Sequence, residues 1–526
     1  MKYFNLKRQK EIFYVLILFF FSIFINQYYG YIGINPIDSF FSFNSGYDIF
    51  NGYYPFKDYW TITGPFIAFV QSIFFKIFGV NWFSYVFHAS IFNSILVLSV
   101  FFILYELKLN IHYCFLYSLL ISILAYPSVG TPYVDHHASY LSIISILFFI
   151  LAVKTNKKIY WFGLPIILAI SFLSKQTPTG YFFLLILSLS IIYFVFNFNI
   201  NKIVSIFLGT LTILSIFLIF LSISQISLQS FLDQYIIFPL SIGESRLDFL
   251  FPLEFKRIIL RYKLFHISYF PLLYIVIKKI IEDYKYLKSD EFLIIIALIL
   301  SSYILIIHQL MTVNGLYIFF IIPILTAFSH IYSIKYLKNK KYITYFLILL
   351  SVCSTIHYLN KYIHTRDFAD LKNIDKRIAI NAEVLDDKLS KIKWITPLYP
   401  TEPKKEILRL TNVINIIKND ERKKSIITDY QFISVILSIY DFSPGQVWFI
   451  NHPLTHEVNS KYFTMYKKFL IDKLKKNEIE VVYIIKPLWA GNDIIEKGLD
   501  KDCIDKMEIT EILDIYLLKK CKELKN

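Results

Sequence analysis

A few ionisable residues stand apart from an otherwise apolar chain, and their types define the chemistry they can do. Asp38 follows a long apolar stretch and leads into Ser39-Phe40-Phe41; a carboxylate there can draw a proton from a hydroxyl. Asp135-His136-His137 is the densest polar group of its region. Asp and His together can hold a divalent cation, Mg or Mn, which can in turn hold a phosphate. Successive side chains diverge on any regular backbone, so Asp135 and one histidine, His136, are the candidate ligands. The same run also reads as a capping Asp followed by interfacial histidines. Lys175, in Ser174-Lys175-Gln176-Thr177-Pro178, and Arg246, in Gly243-Glu244-Ser245-Arg246, are candidate phosphate contacts. A guanidinium grips phosphate bidentately; a lone Lys at a helix end also serves as a snorkelling anchor. Asp58 and Tyr317 complete the candidate substrate-binding residues, although Asp58 equally suits keeping its loop ordered.

The elements that position these residues must be membrane helices. Of 526 residues 56% are hydrophobic and only 18% charged, and the mean hydropathy is +0.53. Soluble domains are about a quarter charged, so a soluble enzyme, a disordered chain and a nucleic-acid-binding module are excluded. Apolar segments fall near 12–32, 82–105, 113–127, 138–153, 159–174, 180–197, 203–224, 264–277, 291–307, 316–334 and 342–359, about eleven spans in all. Residues 361–526 hold 25 of the 39 acidic residues. The chain therefore divides into a membrane domain, 1–360, and an extramembrane α/β domain, 361–526.

Sidedness follows from the basic residues behind the net charge of +15. With Lys2, Lys7, Arg8 and Lys10 in the cytoplasm, alternate loops carry Lys108, Lys154, Lys157, Lys158, Lys202, Lys278, Lys279 and Lys335, as positive-inside topology requires. Loops 33–81, 128–137, 175–179, 225–263 and 308–315 then face outward, as does the tail. Asp38, Asp48, Asp58, Asp135, Asp233, Glu244, Asp248 and Glu254 all lie in those outer loops, and no expected span carries an acidic residue near its middle. The ionisable groups are thus expected to meet in one pocket beside the outer leaflet.

In the first outer loop Phe40, Phe43, Tyr47 and Phe50 have helical spacing, with Asp38 placed to cap the start and Gly52 to end it. This predicts a short amphipathic helix in the outer interface. An Asp just past the first span, a Gly one helix later, the Pro55-Phe56-Lys57-Asp58-Tyr59 segment and Gly64-Pro65 together resemble the first loop of GT-C membrane glycosyltransferases. The resemblance is to the bacterial, family 39-like branch of protein O-mannosyltransferases and lipid A aminoarabinose transferases. It implies a mainly α, polytopic GT-C fold and transfer of a sugar from a polyprenyl-phosphate donor to an envelope glycan, lipid or protein acceptor. The reaction would occur at the outer face of a bacterial inner membrane, by a single inverting displacement. It also implies Asp38 as the catalytic carboxylate and Asp135 as a second one. Ser39 and Thr63 depart from the family, which often has an acid and a Lys at those places, so phosphate binding must rest on other cations.

In the tail, 424–429 and 480–485 read as buried strands and 405–418 and 461–476 as helices. Cys503 and Cys521 can pair in an oxidising periplasm. Two other readings compete: an O-antigen polymerase or ligase, which would lean on Arg246, and a transporter or flippase, which would need polar residues at mid-membrane.

Overall fold

A computed structural model describes residues 2–251, 254–312, 318–338, 340–437, 443–445 and 452–519. Among them, nine helices are long and apolar enough to cross a membrane, from Gln9–Gly30 to Lys340–Ala369. The protein is a mainly helical, multi-pass membrane protein with a small C-terminal sheet region. The expected span at 159–174 is the shorter helix Lys158–Phe172, which contains Pro165. That at 316–334 is Ile321–Tyr336. An apolar helix that the sequence reading assigned to loop, Phe66–Phe78, is also present. Its thirteen residues fall short of the bilayer core, which is why the length criterion passed over it.

The chain forms two compact units, residues 1–30, 86–220 and 244–368 in one, 31–85, 221–243 and 369–526 in the other. In the first, apolar side chains give little preference for helix over lipid, so polar and small residues specify the packing. Asn93 Nδ2 donates to the Ser22 and Ser122 carbonyls at 3.1 and 3.0 Å. Asn26 Nδ2 donates to Ser90 Oγ at 3.0 Å and to the Gly130 carbonyl at 3.1 Å. Gly130, at φ +87°, lies so close to Gly30 that a Cβ would come within 2.6 Å of the Gly30 Cα. The Arg366 guanidinium then ties down the same stretch, donating to the Pro127 and Val129 carbonyls at 3.1 and 2.9 Å. By contrast Ile200–Ile223, with mean hydropathy 2.6, is only 11% buried, as a lipid-facing helix must be.

Among the described residues the second unit contains six strands: β1 (Ile380–Asn381), β2 (Lys393–Trp394), β3 (Lys424–Ile427), β4 (Val481–Ile485), β5 (Ile504–Ile509) and β6 (Leu513–Leu518). β1 and β2 pair with each other; the other four form a sheet of order β3-β4-β6-β5, with β3 and β4 parallel and the remaining pairs antiparallel. Between β3 and β4 the helix Lys461–Lys476 supplies the crossover that parallel strands need. All five residues of β4 are buried, as expected of a strand covered on both faces. The core joins Val482, Ile484, Tyr466 and Leu470 to Trp60 of the first loop and Phe238. Gln234 clamps that loop, donating to the Phe56 carbonyl at 2.9 Å and accepting from the Thr61 amide at 3.1 Å.

Candidate functional site

In the first unit, the polar residues gather around Asp135, the second residue of helix Val134–Thr155. Lys175 Nζ lies 2.6 Å from Asp135 Oδ1, and His308 Nε2 lies 2.9 Å from the same oxygen. The Asp135 and His308 side chains are each 2% exposed and that of Lys175 14%. A carboxylate so enclosed must be matched by charge and hydrogen bonds, which the ammonium and imidazole supply. Arg246, half-buried, interacts electrostatically with His308, as does Lys175. The enclosed carboxylate thus holds an ammonium and an imidazole, and the Arg246 charge is felt at that imidazole.

Hydroxyls set the position of Lys175. It sits in the link between helices Lys158–Phe172 and Thr179–Phe196. Ser171 Oγ donates to the Ala138 carbonyl at 2.8 Å and lies 2.8 Å from Thr179 Oγ1 and 3.0 Å from Ser142 Oγ. This joins three helices just below the link. On helix Asp290–Thr312, next to His308, the buried Gln309 has neither amide atom hydrogen-bonded, so it can take a ligand's polar group.

The Asp-His-His run does diverge. His136 Nε2 is 3.0 Å from Ser128 Oγ. His137 meets the Tyr126 hydroxyl through Nδ1 and His88 Nε2 at 3.1 Å. Asp135 does not cap its helix: Tyr133 is the N-cap and no side chain bonds there. Nor do Asp135 and His136 fit a divalent cation, because Asp135 Oδ1 already receives an ammonium and an imidazole while His136 faces Ser128. Among the described residues no three His, Cys, Asp or Glu side chains gather as metal ligands.

In the second unit, Asp38 is the third residue of the four-residue helix Pro36–Ser39, whose N-cap is Asn35. It does not cap helix Phe41–Phe50, as its spacing suggested: that N-cap is Phe40. The predicted helix is present, but its residues Phe41 to Ile49 are all buried, packed in part on Phe66–Phe78. Backbone bonds fix the approach to Asp38, with the Gly33 and Ile34 amides donating to the Lys393 and Ile395 carbonyls at 3.0 and 3.1 Å.

Behind Asp38, Phe40 packs on Phe432 with ring centroids 4.5 Å apart. Ser434 Oγ donates to Asn44 Oδ1 at 2.7 Å. These contacts bring the segment after β3 to the first loop, and with it Asp429. This carboxyl is 7% exposed and accepts from the Trp489 amide through Oδ2 at 2.8 Å. Its Oδ1 is buried without a partner. Burial pushes the Asp429 pKa up to about 7; the Trp489 amide opposes the rise and the charge of Asp38 adds to it.

Asp58 is held by its own loop, Oδ2 accepting from the Tyr54 amide at 2.8 Å, with Lys473 Nζ 4.0 Å from Oδ1. Tyr317 lies outside the described residues. Cys503 is disulfide-bonded; Cys521 lies outside the described residues. Sequence reasoning reads His308-Gln309 as the polar entry to the tenth span, open to substrate contact or to interfacial anchoring, without linking it to Asp135. It passes over Asp429 as a site residue, although an acid at the C-terminal end of a buried strand is a signal.

No family model matches the chain, and no curated protein matches it. Among solved structures, it is similar to the archaeal oligosaccharyltransferase AglB from Archaeoglobus fulgidus in complex with an inhibitory peptide and a dolichol-phosphate. Identity there is 12%, over 91% of this chain and 70% of that one, with a TM-score of 0.45. A second structure of the Archaeoglobus fulgidus oligosaccharyltransferase, with Zn and sulfate, gives 14% identity over 90% and 68% of the two chains and a TM-score of 0.43.

Proposed function

We propose that this protein is a membrane glycosyltransferase that takes a sugar from a polyprenyl-phosphate carrier and passes it to an envelope glycan, lipid or protein acceptor. The observation that carries the reading is the enclosed cluster of Lys175 and His308 on Asp135, with Arg246 acting on His308. Ionisable residues are costly in membrane helices and mark sites of function by default. Here Lys175 and Arg246 are the positive charges that a lipid-borne phosphate would meet.

In this reading Lys175 and Arg246 take the donor phosphate, and Asp135 and His308 fix Lys175 in place. Asp38 draws the proton from the acceptor hydroxyl as that oxygen attacks the anomeric carbon. The bond from the anomeric carbon to the phosphate oxygen breaks, and the phosphate leaves with the electron pair. One displacement inverts the configuration. No step is assigned to a metal ion on Asp135 and His136, because these two residues are not arranged to hold one together.

The test is sugar transfer by purified protein in lipid nanodiscs containing undecaprenyl-phosphate-linked sugar. Asp38→Asn should keep its fold and its binding of carrier lipid while transfer falls at least about a hundredfold, the usual worth of a general base. Lys175→Met should mainly raise the KM for the donor. Turnover at the wild-type rate in Asp38→Asn would remove that residue from its role.

A further inference from the structure

We infer that Asp429 is the proton-bearing partner of Asp38, a positioning residue that keeps the carboxyl pair at a single negative charge while Asp38 acts as base. This rests on the function proposed above for Asp38. Three observations carry it. The segment after β3 is pinned to the first loop by the Phe40–Phe432 ring contact and the Ser434–Asn44 hydrogen bond, so the two carboxyls share one neighbourhood. Asp429 is buried with one oxygen on the Trp489 amide and the other without a partner. A fully ionised carboxylate leaves such an oxygen uncompensated, whereas a protonated one is a neutral acid with a hydrogen to give.

The surroundings agree. Among the described residues, the charged group acting on Asp429 from a packed element is Asp38, an anion that favours the proton's retention. From the segment after β4 comes the Trp489 amide. Glu406, beyond Tyr430, is taken up by Trp394 Nε1, Thr396 Oγ1 and the Tyr430 hydroxyl. Among the described residues, no cation acts on Asp429 to stabilise its ionised form.

The proton balance of the transfer is unchanged. Asp38 receives the hydroxyl proton, the phosphate leaves with its electron pair, and Asp429 keeps its proton throughout. A second anion beside Asp38 would repel an anionic donor, so ionising Asp429 should act on donor KM and leave kcat nearly constant.

Infrared titration of the full-length protein in nanodiscs tests the pair without relying on activity. A protonated-carboxyl band should disappear as the pH rises through about 7. It should be absent from Asp429→Asn, and in Asp38→Asn its loss should move to lower pH because the neighbouring charge is gone. In the transfer assay, wild-type donor KM should rise roughly tenfold between neutral and mildly alkaline pH. Asp429→Asn, which cannot ionise, should lose that pH dependence and show a flat donor KM across the same range. A wild type with no titrating band, or a band midpoint unmoved by Asp38→Asn, overturns the pairing. Inactivity of Asp429→Asn at every pH, with the fold intact, overturns the neutral-acid role. If wild type transfers no sugar yet the infrared result holds, the proposed function fails and the pair stands.

Discussion

At the scale of single residues, the Asp135–Lys175 pair is the most exposed to test. Its carboxylate is almost wholly enclosed, so removing either partner strands a charge. Lys175→Gln or Asp135→Asn should each lower stability by about 3 kcal/mol, and the double variant should recover a good part of that loss. Thermal unfolding in detergent of the two single variants and the double variant reads the coupling directly. The raised pKa of Asp429 carries a separate stability consequence. A carboxyl held above its ordinary value favours the folded state fully below the unfolded pKa of 3.8, and that contribution is lost as the pH rises through about 7. The loss amounts to roughly 4 kcal/mol on the alkaline side, and Asp429→Asn should flatten the corresponding part of the stability profile.

At the scale of elements, the site depends on how closely backbones approach. The stretch leading to Asp135 passes Gly130, whose φ is +87° and whose missing Cβ leaves room for Gly30. Gly130→Ala must therefore both strain the backbone and push the end of the first helix away from residues 126–130. A drop in stability of at least about 2 kcal/mol is expected, with a fall in transfer activity. Gly180→Ala is the control, since a Cβ there meets nothing within 4 Å; it should be neutral or slightly stabilising. The helix Phe41–Phe50 makes the same point differently. Its spacing of aromatics was read as one apolar face on an interface, but Phe41 to Ile49 are all buried. Gly46 allows that packing, because a Cβ would stand 2.5 Å from Gln71 Cγ.

At the scale of the whole molecule, the positive-inside pattern predicts which loops each side of the membrane can reach. A membrane-impermeant maleimide added to intact cells should label Lys461→Cys and not Lys157→Cys; both positions are exposed. Equal labelling of the two would end the outward assignment of the tail, and with it the proposed reaction at the outer leaflet. The disulfide at Cys503 fits an oxidising compartment.

The sequence by itself determined the class of the molecule, the course of most of its helices, and the strands 424–429 and 480–485, because hydropathy and periodicity are local properties. Spans are set by about 20 successive residues, and strands by alternation and bounding turns. Lys175 and Asp135 could also be picked out, since an ionisable residue in so apolar a chain is conspicuous. Only the tertiary structure decided that His308 joins them, 173 positions beyond Asp135, and that Asp429 comes to Asp38. It also placed Trp60 of the first loop and Phe238 in the core of the C-terminal sheet. Those pairings depend on contacts between distant segments, and no local pattern of residue types encodes which distant segment will fill a given space.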